Sequence, residues 1–197
     1  MTKQLNDADI TAAALDLGVE EAVIRAVIDV ETGGKGGFIN DDHPRILFEA
    51  LVFWKRLKAH GLDPSQYQEG NEDVLCDHWD RTLYKGGLAE YARLEKASLI
   101  HLVSALESAS WGLFQVLGRN WKSLGYASVQ DFVNQQYKNE REQLFAFLRY
   151  VKANQLTNSL RNKDWAEFAE GYNGPGYAEN HYDTKLQKAY IKHGGKG

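Results

Sequence analysis

Cysteine, proline and long apolar runs are all scarce in this chain of 197 residues, and each scarcity excludes a class of protein. Cys76 is the only cysteine, so no intrachain disulfide can form, and we expect a buried, inert thiol. Three prolines leave helices free to run without interruption. No apolar run approaches the roughly 18 residues of a membrane span, and the polar segment from Met1 to Asp9 lacks the features of a signal peptide.

An excess of positive charge is also missing, because the formal net charge is −4. This balance gives no electrostatic footprint for nucleic acid or for anionic membrane surfaces, so neither partner is expected. The hydrophobic share of 43% excludes a disordered chain. The length is close to that of one ordinary domain, and no compositional shift marks a linker. We therefore expect a single domain over residues 1–197.

Apolar residues recur at three- and four-residue intervals through most of the chain, and this period predicts a mainly α-helical fold. Asp9 or Thr11 is expected to cap the first helix, and Gly18 to end it. No β-alternation of convincing length appears, so at most a small strand pair is expected. Residues 62–87 are irregular and predict a long exposed excursion. The further predicted helices cover residues 20–31, 45–60, 88–107, 112–124, 128–153 with a break near Asn139, 165–171 and 182–192.

Residues for metal, cofactor or nucleophile chemistry do not form a known pattern. The six histidines lack the HExxH spacing of zinc enzymes, and Cys76 with His78 supplies only two ligands. There is no GxSxG motif, and the glycines after Gly34 lack the ending of a phosphate-binding loop. The sequence therefore predicts no metal and no cofactor.

Glu31 lies seven residues after Ile24 and four after Val27, so helical geometry places its carboxyl group on the apolar stripe of the predicted helix. It also lies in the last turn, where the helix dipole opposes a negative charge. Both burial and the dipole would raise the pKa of this carboxyl group, which would keep it protonated as a proton donor. The alternative is a terminal Glu that turns to solvent.

Three short segments in order support the catalytic alternative. They are Glu31-Thr32-Gly33-Gly34, Gly112-Leu113-Phe114-Gln115 and Gly171-Tyr172-Asn173-Gly174-Pro175-Gly176. Together they resemble the pattern of the lysozyme superfamily, in the branch of goose-type lysozymes and lytic transglycosylases. The stretches 43–49 and 108–118 are similar to the N-acetylmuramidase family of phage and prophage endolysins. This resemblance covers roughly residues 8–195 and implies a lysozyme-like α-helical domain, with at most a small β-hairpin beside the active-site cleft. Because it covers nearly the whole chain, it also implies a single catalytic domain over residues 1–197 with no separate wall-binding module.

The resemblance implies that Glu31 is the general acid in hydrolysis of the β-1,4 bond between N-acetylmuramic acid and N-acetylglucosamine. Asp41, Asp42 and Glu49 are the candidates for a second carboxylate, and Glu49 is slightly favoured. A solvated acidic turn is the alternative for the two aspartates, and an ion pair with Arg45 is the alternative for Glu49. A separation of roughly 6.5–9.5 Å from Glu31 would predict inversion, and roughly 5–5.5 Å retention.

The resemblance also implies the residues that bind the glycan. Ser110, Trp111 and Gln115 match the segment that lines the substrate cleft in relatives, although an isolated Trp is more often a core residue. Tyr172 and Asn173 match the Tyr-Asn pair of the family, in which the Tyr hydroxyl approaches the glutamate and the Asn binds sugar. The alternative for Asn173-Gly174 is a simple turn.

The leading hypothesis is an endolysin that degrades peptidoglycan and lyses bacteria. The rivals are a lytic transglycosylase with anhydromuramyl products and a non-catalytic glycan-binding or virion protein. We expect a monomer without membrane insertion. The protein is expected to accumulate in the host cytoplasm and to reach the peptidoglycan of the periplasm or cell wall through a separately encoded holin-type pore.

Overall fold

The computed structural model describes residues 3–196, which form two compact units. The terminal unit consists of the chain up to Gly36 and from Asn139 onward, and the central unit is Gly37–Lys138. Helices dominate the fold, which confirms the mainly α-helical prediction. Each helix in the described range is too short or too polar to span a bilayer. That the whole chain is one catalytic domain stays a prediction.

The helices and strands follow one another in an order that places short strands within the central unit. In chain order they are α1 (Asp7–Leu17), α2 (Glu21–Thr32), β1 (Phe38–Asn40), β2 (His43–Pro44), β3 (Ile46–Phe48), α3 (Ala50–Ala59), α4 (Ala89–Glu107), β4 (Ala109–Trp111), β5 (Val116–Leu117), α5 (Val129–Lys138), α6 (Glu140–Ala153), α7 (Thr157–Asn162), α8 (Trp165–Asn173) and α9 (Tyr182–Lys192).

The terminal unit is built around α2, which packs along α9. The apolar stripe that predicted α2 faces the core, where Ile24 and Val27 are buried. Gly18 ends α1 in the left-handed conformation, with φ 67°, as predicted. The predicted cap was wrong, because Asn6 forms a reciprocal capping box with Asp9 and α1 therefore begins at Asp7.

The central unit contains two small antiparallel sheets, β1-β2 and β3-β4-β5, which is more than the single strand pair expected from the sequence. In the second sheet Phe48 is opposite Ala109 and Ser110 is opposite Leu117. The predicted helix over 45–60 begins only at Ala50, because residues 46–48 pair with β4 instead. A strand of three residues is too short for its period-two pattern to compete with the helical pattern that follows.

The helix predicted over 112–124 is wrong. Gly112 and Gln115 both have positive φ, 72° and 50°, which an α-helix does not allow. β5 follows them, and then a short 3₁₀ turn at Gly118–Asn120. The pattern of apolar residues in this segment reflects burial in a turn between strands, which has no helical geometry.

The remaining helix ends agree with the sequence. The Ser128 hydroxyl accepts a hydrogen bond from the Asp131 amide at 3.0 Å near the start of α5, and Asn139 caps α6 at the predicted break. Asp164 caps α8, as predicted. Residues 62–87 are irregular apart from two short 3₁₀ turns, as predicted. They are not exposed throughout, because residues 74–76 are buried. Cys76 is buried, as expected.

Candidate active site

Glu31 lies in the last turn of α2, just before Gly33 ends the helix in the left-handed conformation, with φ 56°. Its side chain is partly buried. Burial raises the pKa of Glu31 from 4.5 to about 7, although a hydrogen bond from Asn173 acts in the opposite direction. A carboxyl group with this pKa retains its proton in a large share of molecules near neutral pH, so it can act as a proton donor.

Asn173 is the direct polar partner of Glu31. Its Nδ2 donates to Glu31 Oε1 at 3.2 Å. Asn173 is the last residue of α8, and Gly174 follows with φ 81°. The helix end therefore aims the amide at the carboxyl group. The resemblance implied an approach of the Tyr172 hydroxyl to Glu31 and a sugar-binding role for Asn173, so the direct contact between Asn173 and Glu31 is a finding of the structure.

Tyr172 is packed among aromatic rings beside the same carboxyl group. Its ring stacks on Phe168 at 5.7 Å and meets Phe147 and Tyr150 edge-on at 5.2 and 5.5 Å. Burial, followed by the negative charge of Glu31, raises the pKa of Tyr172 well above its ordinary value. The Tyr172 hydroxyl therefore remains protonated, and Glu31 is one of the charged groups that act on it.

Tyr182 is a third residue near Glu31, and it was not among the predicted site residues. It begins α9 after His181, whose φ is 54°. Burial and then the charge of Glu31 raise the pKa of Tyr182. No sequence motif marks this tyrosine, because the turn over residues 175–180 is what returns the chain toward α2.

In the central unit, Glu49 occupies the N-cap position of α3 and is partly buried. Tyr84 donates its hydroxyl to Glu49 Oε2 at 2.5 Å, and the exposed Trp79 donates its indole N–H to the Tyr84 oxygen at 3.2 Å. Burial, the hydrogen bond to Glu49 and the charge of that carboxylate raise the pKa of Tyr84 to about 12. The orientation of the Glu49 side chain is therefore fixed by a neutral phenol. Tyr84 was not among the predicted site residues, because no sequence motif marks it.

Asp41 and Asp42 lie at the exposed turn between β1 and β2. The turn is organised by Asn40, whose Oδ1 accepts from the backbone amides of Asp42 and His43 at 3.1 and 2.9 Å. Both aspartates thus belong to a water-facing acidic turn, in contrast to the partly buried position of Glu49.

Ser110 and Trp111 lie on β4, the central strand of the three-stranded sheet, and Gln115 lies in the turn between β4 and β5. Trp111 is 1% exposed, and its indole N–H donates to the Leu106 carbonyl at 3.2 Å. This burial favours a core role for the Trp111 side chain. Ser110 is partly exposed on β4.

Gln115 supports its own turn. Its Nε2 donates to the carbonyl oxygens of Gly112 and Arg45 at 2.8 and 3.2 Å. This amide therefore holds the turn between β4 and β5 against the segment that leads into β3. The contribution of Ser110 and Gln115 to glycan binding stays a prediction.

Two buried carboxylates of the central unit have structural partners. Glu90 accepts from Arg93 at 2.7 Å and from the amides of Phe48, Lys85 and Gly86. Burial alone would raise the pKa of Glu90, but these hydrogen bonds and the Arg93 charge hold it below its ordinary value.

Glu107 accepts from Arg56, His60 and Trp121 at 2.7, 2.9 and 2.9 Å. Here too burial would raise the pKa, and the three donors hold the pKa of Glu107 below its ordinary value. Like Glu90, this group is held ionised by its neighbours, which suits a structural anchor and not a proton donor.

The only cysteine lies beside two other ligand types. Ligand atoms of Cys76, Asp77 and His78 fall within 4.8 Å of one another, so Asp77 joins the pair that the sequence singled out. His78 Nδ1 is 2.8 Å from Asp77 Oδ1 and 3.3 Å from the Cys76 sulfur. These contacts satisfy the three side chains mutually.

Comparison with known proteins gives a consistent result. A family model described as N-acetylmuramidase matches residues 20–194. Among solved structures, the chain is similar to the crystal structure of Burkholderia AP3 phage endolysin, with 42% sequence identity and a TM-score of 0.92. The similarity covers 98% of this chain and 73% of that chain. No match was found among curated proteins.

Proposed function

Since this chain belongs to the N-acetylmuramidase family, we propose that it is a peptidoglycan-degrading endolysin that hydrolyses the β-1,4 bond between N-acetylmuramic acid and N-acetylglucosamine. It is accordingly a glycoside hydrolase, which disfavours the non-catalytic rival. Hydrolysis of a glycosidic bond needs a proton donor for the leaving oxygen and stabilisation of an oxocarbenium-like centre on the sugar.

The observation that carries the proposal is the position of the Glu31 carboxyl group, which is partly buried at the end of α2 and has the Asn173 amide as its hydrogen-bond partner. This burial raises the pKa of Glu31 to about 7. We assign Glu31 as the general acid that protonates the leaving glycosidic oxygen. Once the proton has left, Glu31 is a carboxylate, and the hydrogen bond from Asn173 favours that charged form. Burial therefore retains the proton before the reaction, and Asn173 limits the penalty for releasing it. The Tyr172 ring, which stacks on Phe168, lies beside Glu31 and Asn173.

For the second carboxylate we propose Glu49 over Asp41 and Asp42. A group that stabilises positive charge or directs water must be held in one orientation. Tyr84 fixes one oxygen of Glu49, and the start of α3 supplies the positive end of a helix dipole. The two aspartates lie in water on an exposed turn, where their charges are screened.

The test of Glu31 is the Glu31→Gln variant, which removes the acidic proton and keeps the shape. We expect a loss of about a hundredfold to ten-thousandfold in lysis of outer-membrane-permeabilised Gram-negative cells, measured by turbidity. Circular dichroism would verify that the variant is folded. Comparable lysis by the variant and the wild type would refute the assignment.

The products distinguish hydrolysis from the transglycosylase alternative. Mass spectrometry of digested peptidoglycan should show reducing N-acetylmuramic acid ends, because water attacks the sugar. Anhydromuramyl ends as the main product would instead mean that the muramyl C6 hydroxyl attacks, which needs no water-directing carboxylate. In that case Glu49→Gln should retain most of its activity.

The proposed partner is the glycan strand of peptidoglycan, and no nucleic acid or inserted membrane takes part. We further propose a monomer that depends on a holin-type pore to leave the host cytoplasm. Light scattering of the purified protein tests the first point. Co-expression with and without a pore-forming protein, followed by culture turbidity, tests the second.

A further inference from the structure

A groove of about 450 Å³ runs between the end of α2 and one face of α9, within the terminal unit. Val30, Gly33 and Ala189 contribute its apolar lining. Lys185 and Lys188 lie one turn apart on the same face of α9 and also line the groove. A volume of this size lies in the range of sites that hold small ligands.

The groove carries surplus positive charge. Its one acidic residue, Asp29, is already paired with Lys192 at 2.7 Å and with His193 at 2.8 Å. Neither Lys185 nor Lys188 makes an ion pair within residues 3–196. The ammonium groups of Lys185 and Lys188 therefore lie beside an apolar surface without an acidic partner. This combination is complementary to a ligand with carboxylates and small apolar side chains.

The groove begins beside the proposed acid. Asp29, Val30 and Glu31 share the last turn of α2. Lys185 Nζ lies 5.4 Å from the centre of the Tyr182 ring, and the charge of Glu31 in turn acts on Tyr182. A substrate bound at Glu31 thus has the groove within reach of a short side branch.

We propose that this groove binds the carboxylate-bearing peptide stem attached to the muramic acid whose glycosidic bond is cut. This inference rests on the proposed muramidase function. Each muramic acid carries its peptide on the lactyl group, and the stem offers free carboxylates and methyl side chains in one short segment. Lys185 and Lys188, about 4.5 Å apart along the helix axis, match such carboxylates, and Val30 with Ala189 matches the methyl groups.

The first test compares two substrates. They are intact peptidoglycan and glycan strands from which an amidase has removed the peptides. For the double variant Lys185→Gln/Lys188→Gln, we expect the ratio of kcat/KM on intact over stripped substrate to fall about fivefold, as for two exposed ion pairs. The matched control is Lys55→Gln/Lys122→Gln, which removes the same charge from exposed positions of the central unit and should leave the ratio unchanged.

An unchanged ratio in the groove variant would overturn the proposal, as would an equal fall in the control. A second measurement keeps the outcome separate from the muramidase function. Full-length Glu31→Gln protein is titrated by calorimetry with a synthetic stem tripeptide whose carboxylates are free, and with the same peptide amidated. We expect amidation, or the two lysine substitutions, to weaken binding about fivefold.

The two proposals can therefore fail independently. If the wild type cleaves neither substrate, the proposed function is wrong, and the calorimetry still decides whether the groove binds stems. If cleavage is normal and the affinity for the peptide changes neither on amidation nor on substitution of the two lysines, the groove proposal is wrong.

Discussion

Removal of the Asn173 amide should raise the pH at which the enzyme loses activity. In the wild type, burial raises the pKa of Glu31 to about 7 while the hydrogen bond from Asn173 lowers it. Activity needs the protonated acid, so the basic limb of the pH–rate profile should fall near pH 7. In Asn173→Ala only the effect of burial remains, and the pKa of Glu31 must rise.

The size of this change follows from the geometry of the contact. At 3.2 Å the hydrogen bond is long for a charged acceptor, so it contributes about 1 kcal/mol to the charged form. Since one pKa unit corresponds to about 1.4 kcal/mol, the basic limb should move upward by about 0.5 to 1 pH unit. The maximal rate should fall at the same time, because the conjugate base of Glu31 loses its donor.

The assay is the initial rate of reducing-end release from peptidoglycan between pH 4 and pH 10, at constant ionic strength. Asn158→Ala is the control, since Asn158 is an exposed residue of α7 in the same unit. Its basic limb should coincide with that of the wild type. A limb that stays in place or moves downward in Asn173→Ala would refute the view that Asn173 stabilises the charged form of Glu31.

Three further predictions concern stability and the central unit. Because the folded-state pKa of Glu31 is raised, its stabilising contribution is present below pH 4.5 and lost as the pH rises through about 7. Urea unfolding should therefore find Glu31→Gln more stable than the wild type by about 1–3 kcal/mol at pH 9, after allowance for solvent screening, and equal at pH 4. Tyr84→Phe should lower kcat about tenfold through Glu49 without a change in fold, and activity equal to wild type would argue against Glu49 as the second carboxylate. Gly118→Ala should lower the free energy of unfolding by about 1–3 kcal/mol, because the new Cβ would lie 2.1 Å from the Leu106 carbonyl oxygen; an unchanged melting temperature would contradict this.

The sequence predicted the helices whose signals are local. The period of apolar residues identified α2 and α4, and polar caps at Asn139 and Asp164 set where α6 and α8 begin. The same local information failed at residues 46–48 and 112–117. Strands of two or three residues are stabilised by partners far away in the chain, and those partners leave no periodic signal in so short a stretch.

The site shows the same division. The sequence placed Glu31 on an apolar helix face near a helix end, which left two alternatives, a buried carboxyl group with a raised pKa and a terminal Glu that turns to solvent. The partial burial of Glu31 in the structure favours the first. It could not assign Tyr182 or Tyr84, because each reaches its carboxyl partner through a turn or loop whose path depends on packing. The sequence also left two alternatives for Trp111, a residue of the substrate cleft and a residue of the core. Only the burial of the indole in the structure favours the core.

The shortage of cysteine, proline and positive charge in the sequence determined what this protein could not be, and its helical period determined the fold class. The position of Glu31 on the apolar face of α2 also follows from the sequence, because a helix of fixed period puts each residue on a known face. The tertiary structure alone decided which groups surround that carboxyl. Asn173, Tyr172 and Tyr182 are remote in sequence from Glu31, and only the packing of α2 against α9 and the path of the turn after α8 set their distances to it.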